Sequence, residues 1–228
     1  MAILMKSSPR VPELCAGDVL SRAEFERRYS AMPDLKKAEL IEGVVHMGSP
    51  VRLVQHGLPH HVLSAWLGFY LLRTKGPFAS DNTTVRLDLD NEPQPDLLLC
   101  LPSEHGGRTR IGSDGYLEGP PELILEIAAS SASYDLHSKL QAYRRNGVQE
   151  YLVYRVLDAA FDWFRLQEGG YVRDEADHEG LLRSRAFPGL WLDVAAALRG
   201  DLPALHAAVA RGCSDPAHAA FLRRLARV

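Results

Sequence analysis

The sequence predicts an α/β fold, a mixed β-sheet flanked by helices with a helical C-terminal appendage. Three observations carry that reading. The apolar runs 97–101 and 122–128 lack alternation and read as strands covered on both faces, as in the middle of a layered sheet. A helix-length segment, 133–146, ends at Asn146-Gly147 and is followed by a further run, 149–155, the plan of a β-α-β unit. Phe161 to Leu166 alternates, and Glu168-Gly169-Gly170 turns the chain back toward Tyr171-Val172, so an antiparallel hairpin makes the sheet mixed.

The remaining elements follow in order. Residues 1 to 17, with Pro9, Pro12 and Gly17, are expected to wrap the surface. Ser21-Arg22-Ala23-Glu24 has the capping-box pattern and opens a short helix to about Tyr29. Glu39 to Met47 is β-rich and alternating, a strand or hairpin with Gly43 at its bend. Pro59 suits a first helical turn, and Val62-Leu63, Trp66-Leu67 and Tyr70-Leu71 recur at helical spacing on a core-facing side. Thr83 to Leu89 alternates as a half-exposed strand, ended by Pro93 and Pro95. The Gly-, Arg- and Ser-rich stretch 102–119 reads as a long functional or mobile loop. From Val194, Ala-rich segments around Pro203 and Pro216 read as short helices, which gives an N-terminal extension at 1–19, a main domain at 20–195 and a helical tail at 196–228.

Composition limits the function classes. With 228 residues and 46% hydrophobic content the chain can bury a sizeable core. A net charge of −3 excludes a protein that coats nucleic acid through a pervasive basic surface, so any nucleic acid must meet a local patch. Cys15, Cys100 and Cys213 form neither a disulfide framework nor a zinc knuckle and fit a reducing compartment. No signal-like leader and no apolar run of the ~20 residues needed to span a bilayer is present, so the expectation is a soluble cytoplasmic protein.

Three residues are the candidates for chemistry, against the plainer reading that acids at strand ends are common and structural. Asp96 stands at the mouth of one buried strand, Glu126 inside the next, and Lys139 on the helix that follows. Two fixed carboxylates plus a main-chain carbonyl suffice for a hard cation such as Mg²⁺, which takes oxygen ligands and keeps several waters. Such an ion polarises a phosphodiester and activates water, and Lys139 is placed to offset the developing charge. Tyr143 lies one turn from Lys139 and could orient the ammonium or touch phosphate. Asp135 has the same spacing on the other side and reads as a surface ion pair.

Leu40-Ile41-Glu42-Gly43, Pro95-Asp96, Glu126-Ile127, and Asp135 through Lys139 to Tyr143-x3-Gly147-Val148-x-Glu150-Tyr151 together resemble the Uma-type family of putative restriction endonucleases, within the PD-(D/E)xK nuclease superfamily. The likeness spans roughly 20 to 195 and closes on Phe187-Pro188-Gly189-Leu190. It implies a restriction-endonuclease-like fold, Mg²⁺ or Mn²⁺ at Asp96 and Glu126, DNA as substrate, and Lys139 in the part that the superfamily usually gives to a lysine two residues past the glutamate, where this chain has Ala128. The chain departs from the family in lacking a proline in Ala129-Ser130-Ser131-Ala132-Ser133 and in carrying Arg155 where an aspartate is usual.

Supporting positions remain two-sided. Glu42 matches the family's early acid and either serves a second metal, fixes Lys139, or is a strand-edge carboxylate. His56, His60 and His61 include a pair spaced to clamp zinc, but a structural or substrate-contacting role suits them better. Arg108, Arg110, Arg144 and Arg145 could track phosphates or form a solvated face. Trp66, Tyr70 and Trp163 are spaced as core rather than as base-stacking platforms. Cutting two antiparallel strands calls for a homodimer, with the tail 194–228 as candidate interface. The alternative is a nuclease-fold binding or regulatory module with weak or absent turnover.

Overall fold

The computed structural model describes residues 11–48, 50–129 and 131–227; Pro9 and Ser130, which figure in the expectations above, lie outside them. In chain order the elements are α1 (Arg22–Ser30), β1 (Ala38–Ile41), β2 (Val44–Met47), α2 (Leu58–Leu71), β3 (Phe78–Asp81), β4 (Val85–Arg86), β5 (Leu97–Cys100), β6 (Arg110–Ile111), β7 (Leu117–Glu118) and β8 (Leu123–Ala128). Then come α3 (Ala132–Tyr134), a π-helical segment (Asp135–Lys139), α4 (Leu140–Arg145), β9 (Glu150–Arg155), β10 (Ala160–Gln167), β11 (Gly170–Asp174), β12 (Leu181–Arg183), β13 (Trp191–Asp193), α5 (Val194–Arg199), α6 (Leu202–Gly212) and α7 (Pro216–Leu225).

The central sheet has the order β11-β10-β9-β8-β5-β3. Only β8 and β9 run parallel, and the other neighbours are antiparallel, so the sheet is mixed as the sequence predicts. Side chains alternate across a strand. Leu97, Leu99, Leu123, Leu125 and Leu152 therefore face one layer, with α2, α6 and α7, while Leu98, Cys100, Ile124, Tyr151 and Val153 face the other, with Tyr143 of α4. Helices on both sides explain why these strands show no hydrophobic alternation.

The first layer is the larger core. In α2, Leu63, Trp66, Leu67 and Tyr70 are buried, as their spacing predicts, and Trp66 donates its Nε1–H to the Trp191 carbonyl at 2.9 Å. Trp66 and Trp163 meet edge to face at 6.1 Å inside this core, the packing role their spacing suggests. The C-terminal helices are present, and Leu205, Val209, Phe221 and Leu225 join the same cluster. The apolar sides of α6 and α7 thus pack within the chain. No helix among the described residues is long and apolar enough to cross a membrane.

Four local expectations are corrected. Ser21 occupies the N-cap of α1, but its hydroxyl makes no capping bond, and Glu24 instead binds Arg27 and Arg28 along the helix at 2.7 Å each. Of Thr83 to Leu89 only Val85-Arg86 pairs as a strand, because the chain then turns and the Leu87 and Asp88 amides bond the Asn91 carbonyl. The stretch 102–119 is not loop throughout: β7 pairs with β6 and, in parallel, with β4 in a separate three-stranded sheet. The helix 133–146 is present but widened by its π-helical segment, a feature common at functional sites.

A smaller core under the β1-β2 hairpin gathers Leu14, Phe25, Leu40 and Val45. The hairpin bends at Glu42 and Gly43, both with positive φ (54° and 74°), as the glycine predicts. Beside it, burial and the neighbouring Glu26 push the Glu92 carboxyl up to about 8. A carboxyl raised in the folded state holds its proton there while the unfolded chain releases it, so stability falls as pH rises from about 4.5 to 8. Glu92→Gln should flatten that dependence and stabilise the protein at pH 8 by an amount on the order of a few kcal/mol in urea unfolding; a wild-type slope kept by the variant would refute this.

Candidate active site

The β5-β8 register pairs Leu97 with Leu125, and continuing it by one residue sets Asp96 opposite Glu126. Both residues share the parity of Leu98 and Ile124, so their side chains point to the α4 layer, where Lys139 and Tyr143 come down from the helix. All four are buried. Asp96 Oδ2 accepts the Ile127 N–H at 2.8 Å, which ties Asp96 to the strand that bears Glu126. Its Oδ1 lies 3.1 Å from His56 Nε2 and 3.9 Å from Lys37 Nζ. Glu126 Oε1 accepts from Lys139 Nζ at 2.8 Å and from the Tyr143 hydroxyl at 2.9 Å, so both bonds fall on a single oxygen.

Lys139 also lies 2.9 Å from Glu39 Oε1 and 3.8 Å from Asp135 Oδ1. Asp135 is only 2% exposed and receives the Ser131 hydroxyl at 2.6 Å, so the expected surface ion pair is instead a buried one. The π-helical segment sets Asp135 and Lys139 at its two ends, both facing inward.

The electrostatics are those of an acid-rich interior. Burial, with Asp96, Asp135 and Glu39 adding to it against the pull of Lys139, pushes Glu126 up to about 8. Burial opposes the Lys139 ammonium, but Glu126, Glu39 and Asp135 outweigh it and hold the group well above its ordinary value. Burial also works against the Asp96 carboxylate, yet His56, Lys37 and the Ile127 amide hold it below its usual value. Burial lowers His46, which pairs with Glu39 across the hairpin and meets the Tyr134 ring in a tilted contact at 4.2 Å.

Of the supporting candidates, the fold brings His56 and Tyr143 to the acids and leaves the others elsewhere. His60 joins them through the Asp96 backbone, its Nε2 3.1 Å from that carbonyl, and stacks on His56 at 5.8 Å; His61 is exposed. Glu42 is turned at the hairpin bend onto Arg145 and does not meet Lys139. Arg110 pairs with Glu118, Arg144 bonds the Gly169 carbonyl, and Arg108 bonds the Gly147 carbonyl. Sequence reasoning missed Glu39. The signal was present: a Glu42-Gly43 bend puts Glu42 on the turn and leaves Glu39 as the acid on the strand.

The donor set suits a hard divalent cation. Three buried carboxylates, Glu39, Glu126 and Asp135, face the one buried ammonium of Lys139, and the fourth, Asp96, lies beside His56 and Lys37, so oxygen donors outnumber positive charge. Among the described residues no group of three or more His, Cys, Asp or Glu side chains is disposed as a complete metal cage. Mg²⁺ needs only one or two carboxylates because it retains waters, and Asp96 with Glu126 meets that requirement.

A mixed sheet with helices on both sides is the architecture of a nuclease-like α/β fold. It matches a putative nuclease of DUF820 from Anabaena variabilis with a TM-score of 0.57 at 13% identity, over 76% of this chain and 97% of that one. The chain belongs to the Uma2 family, described as putative restriction endonuclease, whose model matches residues 22–195. No curated protein matches the sequence.

Proposed function

We propose that this protein is a divalent-metal-dependent endonuclease that hydrolyses phosphodiester bonds of double-stranded DNA. The observation that supports it most is the opposition of Asp96 and Glu126 across β5 and β8, with Lys139 Nζ 2.8 Å from Glu126. Asp96 and Glu126 would hold Mg²⁺ or Mn²⁺. When bound, such an ion activates water and polarises the phosphodiester.

The chain's own residues do the rest. The Ile127 amide holds Oδ2 of the Asp96 carboxylate and leaves Oδ1 to His56 and Lys37. His56 shares that oxygen and must yield it to an incoming cation. Lys139, held above its ordinary value, stays an ammonium at neutral pH. It therefore acts as a fixed positive charge that offsets negative charge developing on the phosphate, and does not take a proton from water. Tyr143 and Glu39 position it, the first through Glu126 and the second directly.

Incubating the protein with supercoiled plasmid in Mg²⁺ or Mn²⁺ should give nicked or linear product, lost in Asp96→Ala. A wild type and variant that cleave equally would assign the activity elsewhere. The binding-module reading is favoured by one observation, that each ligand acid already has a nitrogen donor beside it, His56 or Lys139. That reading is met by a wild type that binds the ion and DNA without cutting. Cutting both strands calls for two active sites, and a homodimer is proposed on that ground; a monomer in solution scattering with DNA bound would argue against it.

A further inference from the structure

A cavity opens at the other end of the sheet from the acids, with a volume of about 450 Å³. Three arginines line it, Arg108, Arg165 and Arg185, with Gln149 and Glu150. It is separate from the acids. Glu150 pairs with Leu123 whereas Glu126 pairs with Val153, three positions along the strand or about 10 Å at the usual rise. Glu150 also has the parity of Leu152, which faces the layer opposite to that of Glu126.

The negative groups at this cavity are already committed. Both Glu150 oxygens are taken, by the Ser184 hydroxyl at 2.6 Å and by the Arg185 and Ala186 amides at 2.6 and 3.0 Å. Asp174 chelates Arg165 at 3.0 and 3.1 Å. Arg108 and Arg185 have no carboxylate within ion-pair distance among the described residues. Arg108 is held by its bond to the Gly147 carbonyl, and Gly147 permits that approach: its φ is +78°, and a Cβ there would come within 3.0 Å of Arg108 Nη1.

We infer that this cavity is an anion site for the phosphate of a small ligand of nucleotide size. Guanidinium forks match phosphate oxygens, two of them stand without carboxylate partners, and the volume falls in the range of about 300–1,000 Å³ typical of small-ligand sites. The uncommitted charges, Arg108 and Arg185, come from the loop before β6 and the loop after β12, so a bound phosphate would bridge two segments distant in sequence.

The test is calorimetric titration of inorganic phosphate, a nucleoside monophosphate and an oligodeoxynucleotide without terminal phosphates into the full chain, with chelator present so that the acid site does not contribute. The monophosphate is expected to bind at one equivalent. Arg108→Ala and Arg185→Ala should each weaken it about tenfold or more, and Arg185→Glu should abolish it, while Asp96→Asn binds as the wild type does. Circular dichroism establishes that each variant is folded. Absence of monophosphate binding, equal binding by folded Arg185→Glu, or binding of the oligonucleotide alone would overturn the inference. Because the titration contains no divalent cation, its outcome is independent of the nuclease reading.

Discussion

Lys139→Met is expected to destabilise the protein by about 3–5 kcal/mol, the range for removing one partner of a buried ion pair, and to abolish cleavage. The reason is local. Lys139 is 3% exposed and stands between Glu126 and Glu39 at 2.8 and 2.9 Å, so methionine leaves two buried carboxylates facing each other with no cation between them. The sign with pH follows. Burial pushes the Glu126 carboxyl up to about 8, and protonating it relieves the repulsion, so the loss should be large at pH 8 and shrink toward pH 5. Adding Glu39→Gln to Lys139→Met should recover part of the stability without recovering cleavage, a coupling that urea unfolding of the double-mutant cycle measures. A Lys139→Met protein as stable as the wild type at pH 8 would show that the ammonium does not hold this interior together.

Glu126→Gln should do the reverse, removing activity while preserving the fold. The amide oxygen can still accept from Lys139 and Tyr143, and the variant drops a carboxyl that burial pushes up to about 8. Unfolding stability at pH 8 is therefore expected to be unchanged or higher. Plasmid cleavage should fall by a factor on the order of 10³ or more, since a catalytic-site metal contributes several kcal/mol to stabilising the transition state. Mn²⁺ should raise the melting temperature of the wild type and not of Glu126→Gln or Asp96→Asn, because a ligand stabilises only the state that binds it. Equal Mn²⁺ shifts in all three proteins would place the ion elsewhere. Equal cleavage would remove Glu126 from the chemistry.

The contrast between the two variants separates stability from activity within one cluster. Lys139 and Glu126 touch, yet the site carries more acid than base, so deleting the base is costly and neutralising one acid is not. That imbalance is what a bound cation would correct, and the pH dependence expected of Lys139→Met follows from it.

How much of this was legible in the sequence depends on the range of the interaction. Asp96 at a strand mouth, Glu126 in an unbroken apolar run and Lys139 on the next helix could be read because each sits in an element fixed by local pattern: turn residues before β5, double-sided burial in β8, and the Asn146-Gly147 stop after α4. The β1-β2 hairpin was legible from Gly43 for the same reason. Where local rules competed, they failed. The Ser21 cap pattern lost to the ion pairs of Glu24, and alternation at Thr83 to Leu89 lost to a turn closed on Asn91.

By itself the sequence determined the mixed sheet, the order of its elements and the three residues of the acid-acid-lysine set, because period, turn chemistry and burial are written in neighbouring residues. Only the tertiary structure decided that Glu39 rather than Glu42 meets Lys139, that His56 and His60 converge on Asp96, and that Arg108, Arg165 and Arg185 share one cavity. The Asp135–Lys139 spacing was visible, but whether that pair lay in water or in the interior was not. Strand register, the bend of a hairpin and the packing of helices onto a sheet are set by contacts between residues far apart in the chain, and no local pattern encodes which side chains those contacts bring within 3 Å of each other.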